Sequence, residues 1–225
     1  KAAGVNATLE KESNDIIDYL VELGRELDLS KNEYMQESLE LSYAVSDLTP
    51  STLKWQYELI GNYLSRDMVR GFIDVPIGIP FVEGWQKTVL ADGREASIRA
   101  MGARALHIIA GNSPMMSVIT IARNALTRSD AIVKCPSNDP FTALAVARTM
   151  VRMAPDHPVT KHVAVAYWRG GTVEFEEQLY QPRNIEKIVA WGGFASVKHV
   201  TRYIQPGLEL ISLDPKRSAT IIGKE

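Results

Sequence analysis

Ala105-Leu-His-Ile-Ile-Ala-Gly-Asn-Ser-Pro114, a run beginning at Met115, and Asp130-Ala-Ile-Val-Lys-Cys-Pro-Ser-Asn-Asp139 form the stretch whose reading decides the fold. An apolar run of strand length ends in a Gly-Asn-Ser-Pro turn. Met115, Val118, Ile119, Ala122, Ala125 and Leu126 then recur at the spacing of one helix face. Pro114 suits the first helical position and Ser113 the cap before it. A second buried strand, Ala131–Cys135, follows. Right-handed crossover makes the two strands parallel. Ligands of such sheets sit beyond the carboxyl ends of the strands, where Asn112 and the segment Lys134–Asp139 lie.

Outward from that unit, strands and helices alternate. Strands are expected at Leu106–Ala110, Ala131–Cys135, Val163–Tyr167, Ile188–Trp191, Glu209–Leu213 and Ala219–Ile222. Helices are expected at Met115–Thr127, Phe141–Met153, Val173–Tyr180 and Ala195–Ile204. Asp139 is placed to cap the second helix and Thr172 the third. The alternation predicts an α/β fold with a mostly parallel, doubly wound sheet over 105–225. Residues 1–74 read as a helical region. Ile16, Ile17, Leu20, Leu23, Gly24 and Leu27 share one face, with Ser13 or Asn14 as the cap, and Thr49-Pro50-Ser51 starts a later helix. Residues 75–104 read as an extended, proline-broken connection through Val75–Pro80, then a hairpin turning at Asp92-Gly93.

The 225 residues can bury a substantial core, and 45% apolar with 23% charged residues is the balance of a globular protein. A net charge of −2 without a basic stripe gives no footprint for nucleic acid. No apolar run has membrane-spanning length. With one cysteine and no hydrophobic leader, a cytoplasmic location is expected. The histidines have no metal-ligand spacing, so no metal site is expected. The chain opens without Met and stops just after an apparent strand, which reads as a piece of a longer protein.

No Gly-x-Gly-x-x-Gly follows the first strand. The nearest substitute is Ile188-Val-Ala-Trp191-Gly192-Gly193, a strand entering a helix. Glycines there let the backbone approach a phosphate, although alone such a pair more often makes a tight turn. Arg169-Gly-Gly171 could also meet phosphate, a surface loop being the simpler reading.

Several short segments taken together are more specific. Ala110-Gly-Asn-Ser-Pro114, Leu126-Thr-Arg128, Asp139-Pro-Phe-Thr-Ala143, Asp156-His-Pro158, Tyr167-Trp168, Val189-Ala-Trp-Gly-Gly193 and Pro215-Lys-Arg-Ser218 occur in one order over about half the chain. In this the chain resembles the aldehyde dehydrogenase superfamily, and more closely the long-chain fatty acyl-CoA reductases of the bacterial luminescence type. The resemblance implies an aldehyde-dehydrogenase-like fold. It implies NADPH-dependent reduction of a fatty acyl-CoA or acyl-protein thioester to the aldehyde, through a cysteine thioester. An acyl-protein synthetase or transferase partner and a homo-oligomer are implied with it.

The resemblance also assigns residues. Asn112 falls on the superfamily's oxyanion asparagine; read alone, it is a turn asparagine bonding its own backbone. Lys134, Ser137 and Asn138 fall on the segment that grips the adenosine ribose. The superfamily lysine falls on Cys135, one place after Lys134, and its ribose-binding glutamate falls on Asn138. Losing that carboxylate removes repulsion against a 2′-phosphate and favours NADPH. Trp191, Gly192 and Gly193 would approach the pyrophosphate or nicotinamide ribose. Cys135 is not expected to be the nucleophile: it lies at the adenosine end, and a lone cysteine closing an apolar strand is usually a small buried hydrophobe. The family's nucleophile is expected past Glu225. Hydrolytic relatives carry a glutamate where Ser212 stands, so thioester hydrolysis is disfavoured. A hydrolytic aldehyde dehydrogenase, and a nucleotide-binding or interaction module without catalysis, are the two rival readings.

Overall fold

The computed structural model describes residues 12–213, 219–221 and 223. Among these, the chain opens with helices α1 (Ser13–Glu26), α2 (Glu33–Ser42), α3 (Pro50–Leu59) and α4 (Arg66–Asp74), with a 3-10 turn at Ile60–Leu64. The stripe read in α1 is buried, including Ile16, Ile17, Leu20 and Leu23. Gly24 permits the close packing of α1 on the 3-10 turn, because a Cβ there would lie 2.7 Å from that of Leu64 and 2.9 Å from the Gly61 carbonyl. Thr49 caps α3 as expected, its hydroxyl accepting from the Thr52 amide. The cap expected at Ser13 or Asn14 is not made: the helix begins at Ser13 without a side-chain cap, and the Ser13 hydroxyl instead accepts from Arg128.

The Val75–Pro80 connection is not extended. It turns and enters a short helix α5 (Ile79–Glu83), with Pro80 in its first turn, where no amide donor is needed, and Gly78 at φ +91° making the entry. The hairpin is present as β1 (Gln86–Val89) and β2 (Glu95–Ile98), antiparallel, with Gly93 at φ +84° in the turn.

The main sheet is built from β3 (Arg104–Ile108), α6 (Met115–Leu126), β4 (Asp130–Lys134), α7 (Thr142–Met153), α8 (Pro158–Lys161), β5 (Val163–Ala166), α9 (Val173–Leu179), β6 (Lys187–Trp191), α10 (Phe194–Thr201) and β7 (Glu209–Leu213). Its order is β5-β4-β3-β6-β7, every pair parallel. The strand order reverses between β3 and β6, and that is where an open parallel sheet has a crevice at its carboxyl edge. The expected strand at Ala219–Ile222 is not formed: residues 219–221 carry no regular structure, and Ile222 lies outside the described residues, as does the Pro215–Ser218 match.

The two faces bury different side chains. Ile109, Val133 and Cys135 join α6, α7 and the amino-terminal helices in one continuous core. Leu106 and Ile188 pack with Tyr180, Val200 and Tyr203 on the other face. Among the described residues no helix is long and apolar enough to cross a membrane.

Candidate active site

A cleft of about 880 Å³ opens at the carboxyl edge of the sheet. Asn112, Lys134, Ser137, Asn138, Trp191, Gly192 and Gly193 all line it. Three turns deliver them: β3 into α6, β4 into α7, and β6 into α10. Asn112 and Gly192 therefore share one cavity at the crevice between β3 and β6.

Asn112 is exposed to this cleft and makes no side-chain hydrogen bond among the described residues. Its amide is not consumed by its own backbone, as a turn asparagine's would be. Ser113 does not cap α6. Its hydroxyl donates to Gln56 Oε1 at 3.0 Å and ties the turn to α3.

Lys134 and Cys135 point to opposite faces, as strand neighbours must. Lys134 is nearly buried, with its ammonium 5.2 Å from the centroid of the Trp168 ring. Burial holds that ammonium below its ordinary pKa, and Glu176 works in the opposite direction. Cys135 lies in the core at 1% exposure, and burial, with Asp139 nearby, pushes its thiol up to about 12. It stays a neutral thiol at physiological pH.

The loop between β4 and α7 is braced from three sides. The Asn138 amide donates to Asp47 Oδ2 at 2.6 Å. Asn138 Oδ1 rests on Gly111, where a Cβ would lie 1.8 Å from it, so position 111 has no room for a side chain while Asn138 stays. Asp139 is not at the N-cap position of α7, which is Phe141 and has no side-chain cap, but its Oδ1 accepts from the Thr142 amide at 3.2 Å and hydroxyl at 2.6 Å at the start of that helix. Thr142 in turn shares a hydrogen bond with Tyr57, which also meets Ser38 and Ser42.

Asp139 Oδ2 is buried without a partner among the described residues, and burial raises the Asp139 pKa above its ordinary 3.8. A raised folded-state value means stability that is complete below about 3.8 and lost as pH rises through the raised value. Asp139→Asn keeps an oxygen for the cap and cannot ionise. Its unfolding free energy in urea is expected to gain on the parent as pH rises above about 3.8, by a margin on the order of 1–3 kcal/mol. A gap that stays constant with pH would contradict this.

A smaller cavity of about 270 Å³ lies between α9 and α10 and shares Ile108, Lys134, Gly170 and Ser196 with the cleft. Glu176 lines it at 1% exposure. It accepts from the Gly171 amide, Trp168 and Tyr203, and pairs with His199 at 2.6 Å. Burial opposes its charge, but the bonds from His199, the Gly171 amide and Tyr203 outweigh burial and hold the carboxyl below its ordinary range. Trp168 lines the cleft and was named only as part of the Tyr167-Trp168 match; Glu176, in the adjoining cavity, and Asp47, bonded to Asn138, were not singled out by sequence reasoning. Arg169, in its surface loop, lines the cleft as well. Thr172 does not cap α9: its hydroxyl donates to the Arg169 carbonyl. Among the described residues no group of His, Cys, Asp or Glu side chains is arranged to hold a metal ion.

Comparison with known proteins follows this geometry. The family profile described as acyl-CoA reductase (LuxC) matches residues 9–225. The chain belongs to that family. A long-chain acyl-protein thioester reductase of Photorhabdus luminescens is 34% identical over 130 residues, covering 57% of this chain and 27% of the relative. One from Vibrio harveyi is 28% identical over 214 residues, covering 93% and 43%. The chain thus spans less than half the length of the curated relatives it matches. Among solved structures, an aldehyde dehydrogenase of Bacillus cereus in complex with NAD+ superposes with a TM-score of 0.72 at 15% identity, over 100% of this chain and 42% of that one. An NADP-dependent glyceraldehyde-3-phosphate dehydrogenase of Bacillus halodurans, complexed with NADP, gives 0.67 at 12% identity, over 92% and 41%. The fold of this chain is therefore an aldehyde-dehydrogenase-like one.

Proposed function

We propose that this LuxC-family chain is the nicotinamide-nucleotide-binding part of an oxidoreductase that reduces a long-chain fatty acyl thioester, carried on coenzyme A or on a protein, to the aldehyde with NADPH. The observation that carries the reading is the convergence of seven residues from three separate turns on one cleft at the sheet's strand-order reversal.

The residues present fit such a cofactor. Gly193 has open space where a Cβ would stand, ahead of α10. Trp191 presents a buried indole N–H without a partner among the described residues. Lys134 offers a partly desolvated cation, and Ser137 a hydroxyl. We assign Lys134, Ser137 and Asn138 to the adenosine ribose and its phosphate, and Trp191, Gly192 and Gly193 to the pyrophosphate or nicotinamide ribose. Segment 105–225 would then hold the nucleotide, with the described helices of the 1–74 region, from Ser13 to Asp74, packed behind it. Bound there, NADPH supplies the hydride that the acyl carbon accepts.

Asn112 would donate its amide N–H to the thioester oxygen as that oxygen gains charge. Cys135 does not carry the acyl group in this reading, since a buried thiol with a pKa of about 12 is a poor nucleophile. We assign the acyl-carrying thiol to the longer protein, outside these 225 residues. Ser212, paired with Ala190 on the neighbouring strand, offers no carboxylate to activate water. That favours reduction over hydrolysis of the acyl-enzyme. The exposed Val89 and Ile98 of the hairpin suit pairing with a second copy.

The test is a fluorescence titration of the full-length protein with NADPH. Trp168 and Trp191 both line the cleft, so binding is expected to quench their emission saturably. Saturable quenching that persists unchanged when Lys134 is replaced by alanine would count against these assignments.

A further inference from the structure

We propose that Asp47, from the amino-terminal helical region, tunes the choice between a phosphorylated and an unphosphorylated ribose. This rests on the reading above that Asn138 meets the adenosine ribose. Neutral Asn138 would by itself leave no negative charge against a 2′-phosphate. The structure returns one: Asp47 Oδ2 lies 2.6 Å from the Asn138 amide, across 91 residues of sequence.

Asp47 sits in the segment between α2 and α3. It is exposed, and no cation pairs with it among the described residues. Its charge is therefore not neutralised by a neighbour. The bond to Asn138 has a second effect. It fixes the amide with its nitrogen toward Asp47 and its oxygen against Gly111, so Asn138 presents one arrangement to the cleft and Asp47 is held against it. Asn138 is thus the neutral part of a pair whose charged member comes from a distant segment. A carboxylate beside a ribose tolerates hydroxyls and opposes a phosphate, while Lys134 and Arg169, on the same cleft, attract one. The nucleotide preference is the balance of these charges, and Asp47 weights it against NADPH.

The experiment measures dissociation constants of NADPH and NADH for the full-length protein and its Asp47→Asn and Asp47→Ala variants. Asp47→Asn keeps an acceptor for Asn138 and removes only the charge. Its NADPH affinity is expected to rise about tenfold, the order expected for one exposed carboxylate against a doubly charged phosphate. NADH affinity should change less than twofold. The gain should shrink as ionic strength is raised, because screening acts on charge and not on packing. Asp47→Ala should raise the NADPH-to-NADH affinity ratio in the same direction while weakening both nucleotides through a loosened Asn138. An unchanged ratio in both variants overturns the proposal, as does a selective loss of NADH binding. If the parent protein binds neither nucleotide, the functional reading fails with it.

Discussion

Asn112→Ala in the full-length protein is expected to lower kcat for thioester reduction by about 10²–10³-fold, which corresponds to about 3–4 kcal/mol of barrier. The reason is positional. The amide projects into the cleft from the turn between β3 and α6 and is not engaged by any described residue. A donor with no competing protein partner is available to the thioester oxygen as it gains charge. The turn is held from below by Ser113 on Gln56, which the substitution leaves intact. NADPH affinity and thermal stability should therefore stay within about twofold and ±0.5 kcal/mol of the parent. Stopped-flow or steady-state kinetics with a saturating acyl thioester decides the matter. A variant retaining more than about a tenth of parental kcat would remove Asn112 from the chemistry.

Glu176→Ala is expected to destabilise the protein by about 3–5 kcal/mol, read from chemical unfolding. Glu176 is a buried anion with four partners: the Gly171 amide, Trp168, Tyr203 and His199. Its removal leaves the buried Tyr203 hydroxyl and the half-buried Trp168 and His199 without their acceptor and opens a void between α9 and α10. Glu176→Gln separates charge from shape. It fills the same volume and can still accept from two donors, so it should recover part of the loss at neutral pH. The parent's own advantage has a defined acid limit. The Glu176 carboxyl titrates below its ordinary 4.5, so the stability it contributes is complete above about 4.5 and is lost as pH falls through the lowered value. The gap between parent and Glu176→Gln should close over that acid range. Equal stability of all three proteins at pH 7 would mean the cluster is not a structural brace.

The parallel unit around β3, α6 and β4 was legible in the chain because each of its signals is local. An apolar run, a Gly-Asn-Ser-Pro turn and a helix-spaced stripe need no information from elsewhere. The convergence of the candidate residues was legible for the same reason: loops at the carboxyl ends of parallel strands meet on one edge, so Asn112 and Gly192-Gly193 had to converge once β3 and β6 became neighbours. What the chain did not disclose involves distant partners. The Ser113 hydroxyl was assigned to its own helix, but Gln56 of α3 competes for it. Ser13 is one of the two cap candidates with Asn14, yet Arg128 takes its oxygen. Asp47 and Asn138 are 91 residues apart, and no periodicity links them. Helix α8 is not among the expected helices because its four residues, beginning at Pro158, are too few to show a helical stripe.

The alternation at the end of β4 bears on how this segment can change. Lys134 reaches the cleft over Trp168, and Cys135 fills the core opposite. Loss or gain of a single codon within Asp130–Lys134 would exchange their surroundings, sinking an ammonium among aliphatic groups and turning the thiol toward solvent. Point substitution within β4 is thus a graded injury, whereas a one-residue insertion or deletion there inverts the strand and removes fold and cleft together.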